Sequence, residues 1–203
     1  MPMFLRKLVH WLYLQLMKFA VSFAPSARHT AFAGSGSSAQ LCQHIQRTGV
    51  KKLLVVTDKP LRELGIVDRA LAALDGSGID VAFYDGVLPD PTYDQVAAGA
   101  AVARSHGSEA ILAIGGGSSI DAAKIIAASA TSDGNPADWV GFGKVKHEVL
   151  TLFVIPTTSG TGSEATMGAV ISDSNTHEKG VISGGTLLPQ AVALDPDLIT
   201  GLP

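Results

Sequence analysis

The stretch from residue 111 to 124 reads ILAIGGGSSIDAAK. An apolar run of strand length meets three consecutive glycines, and a run with helical character follows. Glycine enters backbone conformations closed to other residues and lets a ligand approach the main chain. A helix start exposes unpaired N–H groups and the positive end of the dipole, so an anion is stabilised there. Gly115, Gly116, Gly117 and Ser118 are therefore a candidate phosphate cradle, with Ser118 opening the helix and Asp121 at capping-box spacing behind it. The same residues also fit a plain strand-to-helix turn. They form neither G-x-G-x-x-G nor a Walker loop, so alone they leave the two readings level.

On both sides of this stretch, short apolar runs alternate with helical ones. KKLLVVT (51–57), IDVAFYD (79–85), SEAILAI (108–114) and EVLTLFVIP (148–156) read as buried strands. Residues 58–78 read as one helix ending in glycine, 92–107 as a helix with Thr92 as its N-cap, and 118–131 as a third. Shorter strands are expected in ATMGAVIS (165–172), KGVIS (179–183) and QAVALD (190–195). Residues 26–41 are small, polar and glycine-rich, and read as a linker leading to an edge element. Strands alternating with helices imply parallel pairing. Continuously apolar strands imply helices on both faces, an α/β, Rossmann-like sheet. Ligands bind such sheets at the carboxyl ends of the strands, near a switch in strand order.

A second loop sits at that same end. IPTTSGTGSEAT (155–166) sets Thr157, Thr158, Ser159, Thr161 and Ser163 around Gly160 and Gly162. Hydroxyls on a glycine frame can hydrogen-bond a polar ligand from several sides. A water-satisfied surface turn is the plainer alternative, and two such loops at one sheet end weaken it.

GGGSSIDAAK, PTTSGTGSE, VLPDPT, VVTD and LDPDLITGLP follow one another in an order that resembles the iron-type (group III) alcohol dehydrogenases, from about Gly34 to Pro203. The resemblance implies NAD as cofactor, with Gly115, Gly116, Gly117 and Ser118 at the pyrophosphate and Asp58 at the adenosine ribose. A carboxylate at the ribose repels a 2′-phosphate, which favours NAD over NADP. Asp58 also suits a helix N-cap, and one residue can do both. The resemblance further implies cofactor contacts at Asp90, Thr157, Thr158, Thr161, Val170 and Lys179. Gly180 and Gly184-Gly185 depart from the family's pattern beside Lys179. Asp121 is expected to cap or support, not to act as an acid.

The resemblance also implies a small alcohol or aldehyde as substrate, dimers or larger assemblies, and a divalent metal, iron or zinc. Its ligands in the family are an aspartate and three histidines of an all-helical domain beginning soon after GLP. His10, His29, His44, His106, His147 and His177 offer no such pattern here and read as surface or capping residues. The expectation is the cofactor-binding domain, residues 26–203, of a two-domain oxidoreductase. The alternatives are a module that binds NAD without turnover, or an anchored domain with a vestigial site.

The totals fit this reading. The chain has 203 residues, a formal net charge of −3 and 46% hydrophobic residues. It shows no basic face for nucleic acid. The one cysteine, Cys42, cannot make an internal disulfide, which fits a reducing cytoplasm, and it reads as a small core residue. Residues 1–25 read as an amphipathic helix ended by Pro25. Leu5, Leu8, Val9, Leu12, Leu16, Phe19 and Phe23 share one face, and Arg6, Lys7, His10, Lys18 and Ser22 the other. Such a helix docks on protein or makes peripheral membrane contact through residues 4–23; docking is the favoured expectation.

Overall fold

In the computed structural model, which describes residues 3–22 and 29–200, the apolar runs become strands where the sequence places them. The elements in chain order are α1 Met3–Ser22, β1 Thr30–Ala33, α2 Ser37–Thr48, β2 Lys52–Val56, α3 Lys59–Glu63, α4 Ile66–Leu71, β3 Asp80–Tyr84 and α5 Tyr93–His106. They continue with β4 Ala110–Gly115, α6 Gly117–Ser129, β5 Gly141–Phe142, β6 Thr151–Pro156, β7 Gly168–Ser172, β8 Lys179–Ser183 and β9 Ala191–Leu194.

Six strands form one sheet in the order β1-β9-β6-β4-β2-β3, every pair parallel. The chain leaves β2 outward to β3, then crosses back to place β4 on the other side of β2. From there β6 and β9 continue in that second direction. The order therefore reverses between β2 and β4, and a crevice opens at their carboxyl ends.

Side chains alternate across this sheet and build two cores. Leu54, Val56, Ile111, Ala113, Leu152 and Val154 pack under α5 and α6. Leu53, Val55, Leu112, Ile114, Phe153 and Ile155 pack under α2, α3 and α4. Helices cover both faces, so the architecture is Rossmann-like. Fully burying one side chain of the size of Phe153 stabilises the fold by about 1.5–3 kcal/mol. Cys42 lies in the second core. Its thiol donates to Ala70 O at 3.3 Å, and burial pushes its pKa up to about 12, so it is a packed thiol and not a nucleophile.

The structure departs from the sequence reading in four places. The helix expected over 58–78 is broken, because Gly65 takes the left-handed conformation (φ 68°) that ends α3 and starts α4. The expected linker is, from Thr30 onward, the edge strand β1 and the start of α2; residues 26–28 lie outside the described residues. β7 and β8 do not extend the main sheet but form an antiparallel pair joined by β5, and Ala169, Ile171 and Ile182 pack them on the α6 core. Three histidines are half-buried, not fully exposed. His44 lies between the Phe32 and Phe153 rings, and His106 sits 2.9 Å from Ser108 Oγ, while His147 meets Ala128 O in the last turn of α6 at 2.9 Å, the capping role expected. Residues 23–25, including the expected helix stop at Pro25, lie outside the described residues. No helix among the described residues is long and apolar enough to cross a membrane.

Asp195, only 2% exposed, closes the β1 edge of the sheet. The α2 N-cap is Gly36, which has no side chain to offer. Asp195 supplies the cap from 157 residues away, accepting from Ser38 N at 3.0 Å and Ser38 Oγ at 2.6 Å. Gly36 N and Asp197 N donate to it as well, each at 3.2 Å. Burial alone would raise this carboxyl; the hydrogen bonds from Ser38, Asp197 and Gly36 outweigh it and hold the pKa below the usual carboxylate range. A depressed folded-state pKa gives stability that is full above the unfolded value and fades as pH falls through the folded one. Asp195→Ala should lower stability by on the order of 3 kcal/mol near neutral pH, read from urea unfolding. The gap between the two proteins should close in acid, below the ordinary aspartate range.

Candidate functional site

β4 ends and α6 begins almost without a loop. Gly115 is the last strand residue, with φ 154°, and its carbonyl accepts from Thr157 N at 2.9 Å. A Cβ here would lie 2.5 Å from Ser119 Oγ, closer than any real contact, so only glycine fits. Gly116 is the N-cap of α6, and no side chain caps it. This corrects the expected capping box: Ser118 is inside the first turn, and Asp121 points elsewhere. The first-turn N–H groups therefore have no side-chain partner and face a cleft.

That cleft holds about 670 Å³ and lies at the reversal in strand order. It is lined by Asp58 after β2, by Gly116, Gly117, Ser118 and Ser119 at the start of α6, and by Thr157, Thr158 and Thr161 after β6. An apolar wall that includes Leu61, Leu64 and Val87 completes it. The glycine and hydroxyl loops touch. A Cβ on Gly116 would meet Thr158 Oγ1 at 3.2 Å, and one on Gly117 would meet Thr161 Cγ2 at 3.2 Å. Any side chain at either position would fill space that a ligand could use.

Asp58 caps α3, accepting from Leu61 N at 2.9 Å through Oδ1. Among the described residues, Oδ2 accepts no hydrogen bond. Gly115 supports the floor without lining it. Three expected contacts stand apart from these. Asp90 and Lys179 form an exposed ion pair with each other at 2.6 Å, Asp90 sitting one residue past the lining Pro89 in a left-handed turn (φ 56°). Val170 N donates to Asp121 Oδ2 at 3.0 Å, and its side chain is not among the lining groups. The glycines beside Lys179 have a packing reason at position 180. A Cβ on Gly180 would lie 2.6 Å from Tyr93 Oη and 2.7 Å from Val140 Cγ2.

Lys124 was not singled out from the sequence, and it holds this site together. Its side chain is fully buried on α6. Nζ donates to Ser163 O at 2.8 Å, Thr166 Oγ1 at 3.1 Å and Gly168 O at 2.6 Å, using all three donors to fasten the end of the hydroxyl loop to α6. Asp121 Oδ1 is 3.8 Å away. Burial pushes the lysine down to about 8, against the opposing pull of Asp121 and Glu164. Burial also raises Asp121, partly offset by the Val170 N–H and by Lys124. The available signal was a single lysine in the otherwise apolar helical run AAKIIAA.

Deprotonation of Lys124 removes one donated bond, so the loop should loosen as pH rises through about 8. Global stability should move the other way, because a lysine whose folded-state pKa is lowered sheds its proton before the unfolded chain does. Lys124→Met should lower amide-exchange protection across residues 163–168 by more than about tenfold at neutral pH. The pH-dependent loosening should vanish in that variant.

Known proteins share this geometry. The chain is 36% identical over 173 residues to alcohol dehydrogenase 4 of Saccharomyces cerevisiae (strain YJM789), covering 85% of this chain and 45% of that one. It superposes on a crystal structure of 1,3-propanediol oxidoreductase with TM-score 0.82 and 36% identity, over 86% of this chain and 46% of the other. It superposes on the NADH-dependent butanol dehydrogenase A of Thermotoga maritima with TM-score 0.80 and 31% identity, over 86% and 44%. The chain thus spans less than half the length of these relatives. The family profile described as iron-containing alcohol dehydrogenase matches residues 29–196, which takes in both loops of the cleft and the Asp195 cap. The chain belongs to the iron-containing alcohol dehydrogenase family.

Proposed function

We propose that this chain binds NAD in the β2–β4 cleft, as the cofactor-holding part of an enzyme that interconverts a small alcohol and its aldehyde or ketone. The observation that carries the reading is the uncapped start of α6 beside two glycines and facing three threonines, at the point where strand order reverses. Backbone N–H groups of Gly116, Gly117 and Ser118 hold the pyrophosphate. Thr157, Thr158 and Thr161 offer hydroxyls along the dinucleotide, and Asp58 accepts from the adenosine ribose while capping α3. The apolar wall of Leu61, Leu64 and Val87 suits a flat ring system. When bound, the dinucleotide supplies the hydride acceptor or donor.

Asp90, Lys179 and Val170 belong to this reading as rim groups. The Asp90–Lys179 pair is exposed and holds weakly, so Lys179 is free to exchange its partner for a ligand oxygen. The metal in the family's name finds no holder in these residues: among those described, no three of His, Cys, Asp or Glu converge. Binding and orienting the dinucleotide is the part of the activity that these residues support.

NADH should bind saturably with Kd below about 1 mM, followed by its own fluorescence. No binding in that range would remove the dinucleotide reading. Asp58→Asn keeps an Oδ1 for the Leu61 N–H and removes the charge. It should narrow the preference for NADH over NADPH by about tenfold. An unchanged ratio would take Asp58 away from the ribose.

A further inference from the structure

Helix α1 is unexplained by the cleft. The family match begins at residue 29, beyond it. Leu5, Val9 and Leu12 follow one another along one helix face and are 43%, 52% and 53% exposed. Phe4 and Trp11 are exposed as well, and among the described residues no other element packs extensively against α1. Apolar surface of this size left in water forgoes the stabilisation that burial brings, and needs an occupant.

Charge names the occupant. All 18 acidic residues of the chain lie at Asp58 or beyond, although the net charge is only −3. Helix α1 carries Arg6, Lys7 and Lys18 and no acid. A second copy of the helix would set these cations against themselves. An anionic surface would be attracted by them, and leucine, phenylalanine and tryptophan beside lysine and arginine suit the boundary between headgroups and acyl chains. The helix cannot cross a bilayer, so it would lie in the surface.

We propose that α1 is an interfacial helix that tethers the α/β unit to a membrane surface rich in anionic lipid. The inference is independent of the dinucleotide reading, since it uses no residue of the cleft.

The test uses the whole protein with phosphatidylcholine vesicles, with and without phosphatidylglycerol, in a flotation assay. The protein should float with the anionic vesicles, bind neutral ones weakly, and be released by added salt. Trp11 emission should shift to the blue on binding; the other tryptophan, Trp139, is 8% exposed beside His147 and should not respond. Leu5→Asp with Leu12→Asp should abolish flotation. Arg6→Glu with Lys7→Glu should weaken anionic partitioning by more than roughly tenfold and leave neutral vesicles unchanged. All four positions are exposed and outside both cores, so the unfolding midpoint should hold in each variant. Failure to float with anionic vesicles would overturn the proposal. So would flotation that both variants retain, or a concentration-dependent dimer that Leu5→Asp with Leu12→Asp breaks while vesicles go unbound.

Discussion

The turn from β4 into α6 depends on a position that tolerates no side chain. At Gly115 a single methyl group would collide with Ser119, and the φ angle is one that other residues rarely adopt. Because the turn is this short, α6 starts directly above the end of its own strand. The helix then runs back across the sheet with every residue from Ser119 to Ser129 except Asp121 buried. Its apolar residues form the centre of one core and support the small β5-β8-β7 sheet. A longer connection would move α6, and with it the floor of the cleft, the Lys124 clamp and the packing of β7.

The clamp answers a problem that the glycines create. A loop with Gly160 and Gly162 both at positive φ is inexpensive to deform, and its hydroxyls would wander if only its strand end were fixed. Thr157 fixes one end through Gly115 O, and Lys124 fixes the other through Ser163 and Gly168. Burying an ammonium is costly unless every donor is satisfied. Here all three are, by loop atoms, so the charge stabilises one loop geometry over others. Asp195 plays a parallel part at the far edge, where a buried carboxylate closes the start of α2.

The sheet was legible in the sequence because buried parallel strands are unbroken apolar runs and their helices show a different period. The two site loops were legible because glycines with serine or threonine hydroxyls follow directly after two of those strands. What stayed hidden depends on distant partners. The reversed direction of Asp121 follows from the β7 backbone N–H it meets 49 residues later, and spacing alone favoured a local cap. The break at Gly65 was available in the sequence, yet an apolar period on both sides disguised two short helices as one. Asp90 and Lys179 were each placed near a ligand; their pairing across 89 residues follows from the β7–β8 hairpin, which no local pattern announces.

Among the described residues that line the cleft, Asp58 alone is charged, and it is negative. Lys124, buried on α6, is committed to carbonyl and hydroxyl oxygens of residues 163–168. An anion settling at the α6 start would therefore be held by main-chain dipoles, whose reach ends within the first turn. Such a site does little to draw an anion from a distance, so its capture rate stays near that of unsteered diffusion and changes little with ionic strength. Recognition at this cleft acts on residence after arrival.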